Sequence, residues 1–326
     1  MNRATRVLAA GAFAVLGLFP AALYAQSYPA KPVTVIVPYP PGGATDIIGR
    51  VLAQKLSSAL GQQFVVDNRS GAGGNIGAQL VASAKPDGYV LLMGAMTSHS
   101  INATLQKDTA KFNFERDFTP IAIVGTVPLV LVVHPSVAAN SVKEFTALAR
   151  AKPGDMTYAS AGNGSPQHLT GEQFKLLAKA DMVHIAYKGS GPAMTDLMGG
   201  QVKSMIETVP AAVGYIKGGK IRALMVTTKE RVESLPDVPT AAEAGMPGFE
   251  ASSMFGMAAP AGTPRPVIDR LNAELGKILA LPEVKAKLLE QGAYATHTTP
   301  EQAATRIREE VAKWAKVIKD ANVKVE

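Results

Sequence analysis

The chain has 326 residues, a formal charge of +7, 47% hydrophobic and 6% aromatic residues, and no cysteine. Lack of cysteine excludes disulfides, thiolate metal sites and cysteine nucleophiles, so an exported chain of this kind would rely on its core alone. Scattered lysines and few aromatics argue against nucleic acid, while a modest positive balance suits anionic ligands by steering.

Residues 1–25 carry Arg3 and Arg6, then the apolar stretch VLAAGAFAVLGLFPAAL, then Tyr24 and Ala25 before a polar Gln26. This pattern predicts an export signal cut after Ala25, with an uncleaved membrane anchor as the alternative. No later stretch is long and apolar enough to cross a bilayer. About 300 residues remain, enough for one large or two medium domains.

VTVIVPY (33–39) reads as a buried strand, and 44–60 as a helix ending at Gly61. The unit recurs: strand 64–68 and helix near 74–84, strand 89–94 and helix near 100–106, strand 156–160 and helix 165–179. Strand 184–187 then leads to helix 191–199, and strand 202–207 to helix 210–219. Such repetition predicts an α/β fold with largely parallel sheets. IAIVGTVPLVLVVHP (121–135) breaks the rhythm as two strand-like runs around Thr126, Val127 and Pro128. ASSMFGMAAPAGTP (251–264) reads as a strand and a proline-rich turn, before an almost wholly helical tail. Chain crossings near 126 and 252 predict one domain from 26–126 with 252–326, and a second from 127–251.

RSGAGGNIGAQL (69–80) has glycines between a strand and a helix, but misses the dinucleotide spacing by one residue and lacks the acidic residue about 20 positions on. Asp67 and Arg69 before it read as a local ion pair. Three other loops, YPPGGATDI (39–47), ASAGNGSPQHLTGEQF (159–174) and YKGSGPAMTDL (187–197), place glycines where strands end and helices begin. Unpaired N–H groups there can hold a carboxylate. Each loop alone is equally an ordinary turn with a helix cap. Ser165 and His168 share a helix face and suggest a nucleophile with its base, yet no G-x-S-x-G elbow surrounds the serine, and capping explains it better. The five histidines show no local metal-ligand spacing. Glu207 is read either as a buried partner for a ligand amine or as a solvated strand end. Met254 and Phe255 are read as a cleft wall or as core.

Taken together, PYPPGGATDIIGR, VVDNRSGAGGNIGA, PDGYVLLMG, YASAGNGSPQHLTGEQFK, YKGSGPAMTDLMGGQV and PDVPTAAEAGMPGFE resemble the extracytoplasmic solute receptors of tripartite tricarboxylate transporters, the Bug receptors. The resemblance implies a two-domain type II periplasmic-binding-protein fold that is not an enzyme, needs no cofactor or metal, and acts as a monomer in the periplasm. It would capture a small carboxylate or amino-acid-like solute in the interdomain cleft and deliver it to membrane permease subunits. It assigns the carboxylate to Tyr39, Gly43, Ala44, Thr45 and Asp46 on one side, and to Ser160, Ala161, Gly164, Ser165 and His168 on the other. Thr97 and Ser98 would lie in a further cleft-facing loop, and Tyr187 and Lys188 on the far wall. Met254 and Glu207 stand where relatives often carry tryptophan and aspartate, so the ligand's second end does not carry over from the resemblance: the methionine would admit a bulkier or aromatic acid, and Glu207 would favour an amine or a bound water over a second carboxylate. The glycine turn at 71–77 is expected to pack a helix against the sheet. A secreted hydrolase using Ser165 and His168, or a sensor feeding a signalling partner, are the alternatives.

Overall fold

The computed structural model describes residues 28–290 and 292–324; the expected export signal and its cut lie outside them. The first lobe opens with β1 (Val33–Val37), α1 (Ala44–Leu60), β2 (Phe64–Asn68), α2 (Asn75–Ala82), β3 (Val90–Ala95) and α3 (Met96–Leu105). A long strand, β4 (Phe118–Val133), leads into the second lobe: α4 (Val142–Ala151), β5 (Met156–Ser160), α5 (Pro166–Ala178), β6 (Met182–Ala186), α6 (Ser190–Met198), β7 (Ser204–Thr208), α7 (Val209–Lys217) and β8 (Arg222–Val226). The chain returns through β9 (Ser252–Pro260) to α8 (Arg265–Ala280), α9 (Pro282–Glu290), β10 (Tyr294–Ala295) and α10 (Pro300–Asp320).

The strand order is β2-β1-β3-β9-β4-β7-β5-β6, with β8 and β10 also on β4. β1 pairs in parallel with β2 and β3, and β5 with β6 and β7, as expected of strand–helix repeats. Local chemistry sets the helix ends. Gly61 adopts the left-handed conformation that closes α1. Ser165 caps α5 ahead of Pro166, and Thr299 with Gln302 forms a capping box on α10.

Three expectations need correction. The two strand-like runs at 121–135 are one strand: β4 pairs with β9 from Phe118 to Pro128, then with β7 and β8 from Leu129 or Val130 onward. Pro128 is tolerated because it stands where β4 exchanges partners, so its missing N–H breaks no continuous ladder. The helix expected near 100 starts at Met96, directly after β3, which places Thr97 and Ser98 in the first turn of a helix and not in a loop. The strand–helix repeat did not foretell α4, β8 or β10; β10 has only two residues, whereas α4 carries Val142, Phe145 and Ala149 at helical spacing behind its Ser141 cap and was legible in principle.

Each lobe carries apolar side chains on both faces of its sheet. In the first, Phe255 packs with α1 and α8 side chains such as Ile48 and Leu271. Its neighbour Met254 points to the opposite face, against Ala78, Phe118 and Ile307, as alternation along a strand requires. In the second, Phe145 and Phe174 lie on one face, Met194 and Val213 on the other. A fifth cluster joins the lobes: Ile101 of α3, Leu169 of α5 and Trp314 of α10 are all fully buried together.

Candidate functional site

On the first lobe, β1 ends in a turn whose last residue, Gly43, has no side chain to cap α1. Ala44, Thr45 and Asp46 are nonetheless buried. Among the described residues nothing accepts from their three N–H groups; the first helical bond is Ile47 N–H to Gly43 O, 3.0 Å. A buried helix start with bare donors and a favourable dipole is the arrangement that receives an anion.

Asp46 does not fill that role itself. Its carboxylate accepts from Gly42 N–H, Arg50 Nε and Asn68 Nδ2, each at 3.0 Å. Burial would push this carboxyl up, but the bonds from Arg50, Gly42 and Asn68 outweigh it and hold the group below its ordinary value. Asp46 therefore stays ionised, neutralised by Arg50 at 2.9 Å, and braces the turn. The neighbouring Tyr39 is pushed up to about 12 by burial and stays a neutral phenol.

The second lobe presents the 160–165 loop at the end of β5. Here most donors are committed within the protein. Ser165 N–H reaches Gly162 O at 3.1 Å, Gly164 N–H reaches His168 Nδ1 at 3.2 Å, and Gly162 N–H reaches Ser160 Oγ at 3.1 Å. The Gly164 and Ser165 amides are thus engaged within the protein, whereas the amide of Ala161 is without an acceptor among the described residues, and Ser165 keeps its hydroxyl proton, because Oγ accepts from His168 N–H at 3.2 Å. That same bond, with His168 Nδ1 turned to Gly164, leaves no imidazole to activate Ser165.

Behind the loop, the His168 and His184 rings stack 4.0 Å apart and 5° from parallel, with Ser160 Oγ 2.7 Å from His184 Nε2. Burial, then Lys175, lowers His168 to about 4; burial, then His168, lowers His184 to about 3. Both are neutral near pH 7, as His168 must be to accept from Gly164.

The two loops belong to one seam. A Cβ added to Gly164, whose φ is +77°, would collide with Asn102 Oδ1 of α3. One on Gly73 would lie 3.5 Å from Asn163 O, and one on Gly189 3.7 Å from the Pro40 ring. The glycine turn packs as expected: at Gly77 any Cβ would stand 2.8 Å from Arg69 O and Pro38, so α2 lies hard against the end of β1. Asp67 and Arg69 form the anticipated exposed ion pair at 2.9 Å.

Thr97 and Ser98 are buried at the start of α3, and Thr97 Oγ1 accepts from Met254 N–H at 2.9 Å, tying β9 to this helix. Tyr187 gives its hydroxyl proton to Asp196 at 2.7 Å, while Lys188 is exposed. Phe255 and Met254 are core residues. Glu207 is fully buried, which removes the solvated strand end from consideration. Its Oε1 accepts from Gln167 Nε2 at 2.9 Å and Thr208 N–H at 2.5 Å. Sequence reasoning missed Gln167, Asn102 and Trp314. The Asp46–Arg50 pair was legible at its i,i+4 spacing; the other three act across long sequence separations that no local pattern marks. A depression of about 900 Å3 between Ser141 and Ile216 lies apart from all these loops.

Two α/β lobes meeting at glycine-rich helix starts, one uncapped and buried, define a solute-binding protein of the type II periplasmic-binding-protein fold. The chain belongs to the tripartite tricarboxylate transporter family receptors, whose family model matches residues 48–323. These are receptors and not enzymes. The chain is 39% identical over 322 residues to Protein BugT of Bordetella pertussis, covering 98% of this chain and 99% of that one. A solved R. palustris protein with adipate matches at TM-score 0.88 and 37% identity, covering 91% and 99% of the two chains. The periplasmic binding protein BugD matches at TM-score 0.84 and 36% identity, covering 92% and 100%.

Proposed function

We propose that this chain is an exported receptor that closes its lobes on a small carboxylate in the periplasm and delivers it to the membrane permease subunits of a tripartite tricarboxylate-type transporter. One observation carries the reading: α1 begins buried and uncapped, with the amides of Ala44, Thr45 and Asp46 unclaimed. The Ala161 amide and the Ser165 hydroxyl face the carboxylate from the other side, and Asp46 serves by holding the turn. Adipate in the R. palustris relative supports the ligand class, and BugD's description as a periplasmic binding protein supports the location. We assign 26–126 with 252–326 to one lobe and 127–251 to the other; the exchange of β4 partners after Pro128 supports this division.

Ala44→Pro tests the clamp. It deletes one N–H at the first helical position, where proline is tolerated, and the extended Gly43 before it (ψ 167°) suits a following proline. Losing a hydrogen bond to a charged group costs about 1.5–3 kcal/mol, which weakens binding roughly 10- to 100-fold. Calorimetric titration with mono-, di- and tricarboxylates should show that loss with an unchanged melting temperature. Undiminished affinity in the variant would remove the clamp.

A further inference from the structure

Glu207 lies at the end of β7, among the first residues of three helices. Gln167, which donates to its Oε1, belongs to the first turn of α5, and Gln167 Nε2 is also 3.4 Å from Ser190 Oγ, the first residue of α6. Thr208, whose N–H is the second donor to Oε1, is the N-cap of α7. Two of these helices start at the loops that face the first lobe. The head group is fully buried, and no cationic side chain among the described residues pairs with it. The Ser190 and Thr208 hydroxyls also lie close enough to favour the ionised carboxyl, but among the described residues Oε2 has no well-formed hydrogen bond.

A buried carboxyl with one oxygen doubly bound and the other bare is a costly core residue, since glutamine or leucine would fill the space without a charge to desolvate. Two donors on Oε1 fix the orientation of the head. Gln167, Thr208 and the adjoining helix starts all donate toward this point, which is an environment arranged to keep an acceptor there. While Glu207 is ionised, Oε2 repels a second carboxylate on the solute, whereas an ammonium supplies the missing donor and the missing counter-charge together and so holds the group in that form. Burial pushes the Glu207 carboxyl up, and a cation beside Oε2 would favour its ionised form.

Resting on the carboxylate clamp at α1, we infer that the solute is an amino-carboxylate whose cationic amine is read by Glu207 Oε2. Titration of the wild-type protein with 4-aminobutyrate, 5-aminovalerate and 6-aminohexanoate, against succinate, glutarate and adipate, tests this. The best amine should bind at least about tenfold more tightly than the best diacid, and Glu207→Gln should abolish that preference. A diacid bound as tightly as any amine, or an amine whose affinity is unaffected by Glu207→Gln, overturns the inference while leaving the clamp in place. If none of the six compounds binds, this inference fails, while the clamp stands or falls by the Ala44→Pro titration with mono-, di- and tricarboxylates. Should Glu207→Gln not fold, the wild-type ranking alone decides.

Discussion

Acidification from pH 7 to pH 5 should destabilise the protein through its buried histidines. His99, His168 and His184 are folded in their neutral forms, lowered chiefly by burial to about 4, about 4 and about 3 from an ordinary 6.5. Between pH 6.5 and 4 the unfolded chain binds more protons at these positions than the folded one, so stability falls as pH falls through that window. At pH 5 the fully buried His99 costs about 2 kcal/mol, and the less enclosed His168 and His184 about 1 kcal/mol each after discounting for solvent screening. Their sum, about 4 kcal/mol, is a large share of a typical 5–15 kcal/mol.

Glu207 works in the opposite sense. Its folded value is raised, so the folded state gains protons, and stability, as pH drops. The histidine effect is therefore cleanest in Glu207→Gln. At about 0.6 kcal/mol per degree for a chain of this size, its melting temperature should fall by roughly 6 °C between pH 7 and pH 5 at constant ionic strength. Replacing His99 with phenylalanine in that background should remove about half of the fall. A melting temperature level or rising across this range would refute the neutral, buried assignment of the three rings.

Two other outcomes follow from packing. Trp314→Ala opens the cluster with Ile101 and Leu169 and should cost about 3–5 kcal/mol in denaturant unfolding; because that cluster spans the lobes, small-angle scattering should also show a larger radius of gyration. Gly77→Val meets Arg69 O and the Pro38 ring and backbone at under 3 Å, and should lower the melting midpoint by several degrees, whereas Gly191→Ala, with open space around it, should be near neutral.

Most of the α/β repeat was legible, because amphipathic helices such as α1 and α10 and apolar strands such as β1 and β7 carry their period in a short window. The uncapped start of α1 stayed open, because the 39–47 loop read equally as an ordinary turn with a helix cap; that Gly43 stands at the N-cap depends on where the helix begins. Strand β4 was misread as two, since a proline signals a break unless the strand exchanges partners at that point, and partners are a tertiary fact. The commitment of the Gly164 and Ser165 amides was hidden for a similar reason: it depends on the rotamer of His168 and the curl of the loop, neither of which residue type dictates. Glu207 could be read as buried or solvated until its neighbours from α5 and α7 were in place.

At the point where β4 leaves the first lobe, Thr227 holds both connecting strands. Its N–H reaches Leu129 O at 2.9 Å, its Oγ1 lies 3.1 Å from both Leu129 N and Leu129 O, and its side chain reaches Ala251 O at 2.6 Å. Ala251 N–H returns to Thr227 O at 3.1 Å. The two crossings are thus bolted side by side onto the second lobe. Away from this bracket β4 slips register on both sides, against β9 between Pro120 and Ala122 and between Ile123 and Gly125, and against β8 between Leu131 and Val132. Bulged ladders bend and twist more readily than regular ones. A bend between the lobes would then use the loosened rungs to either side of Thr227 and leave the two crossings parallel, like rails pinned by one sleeper.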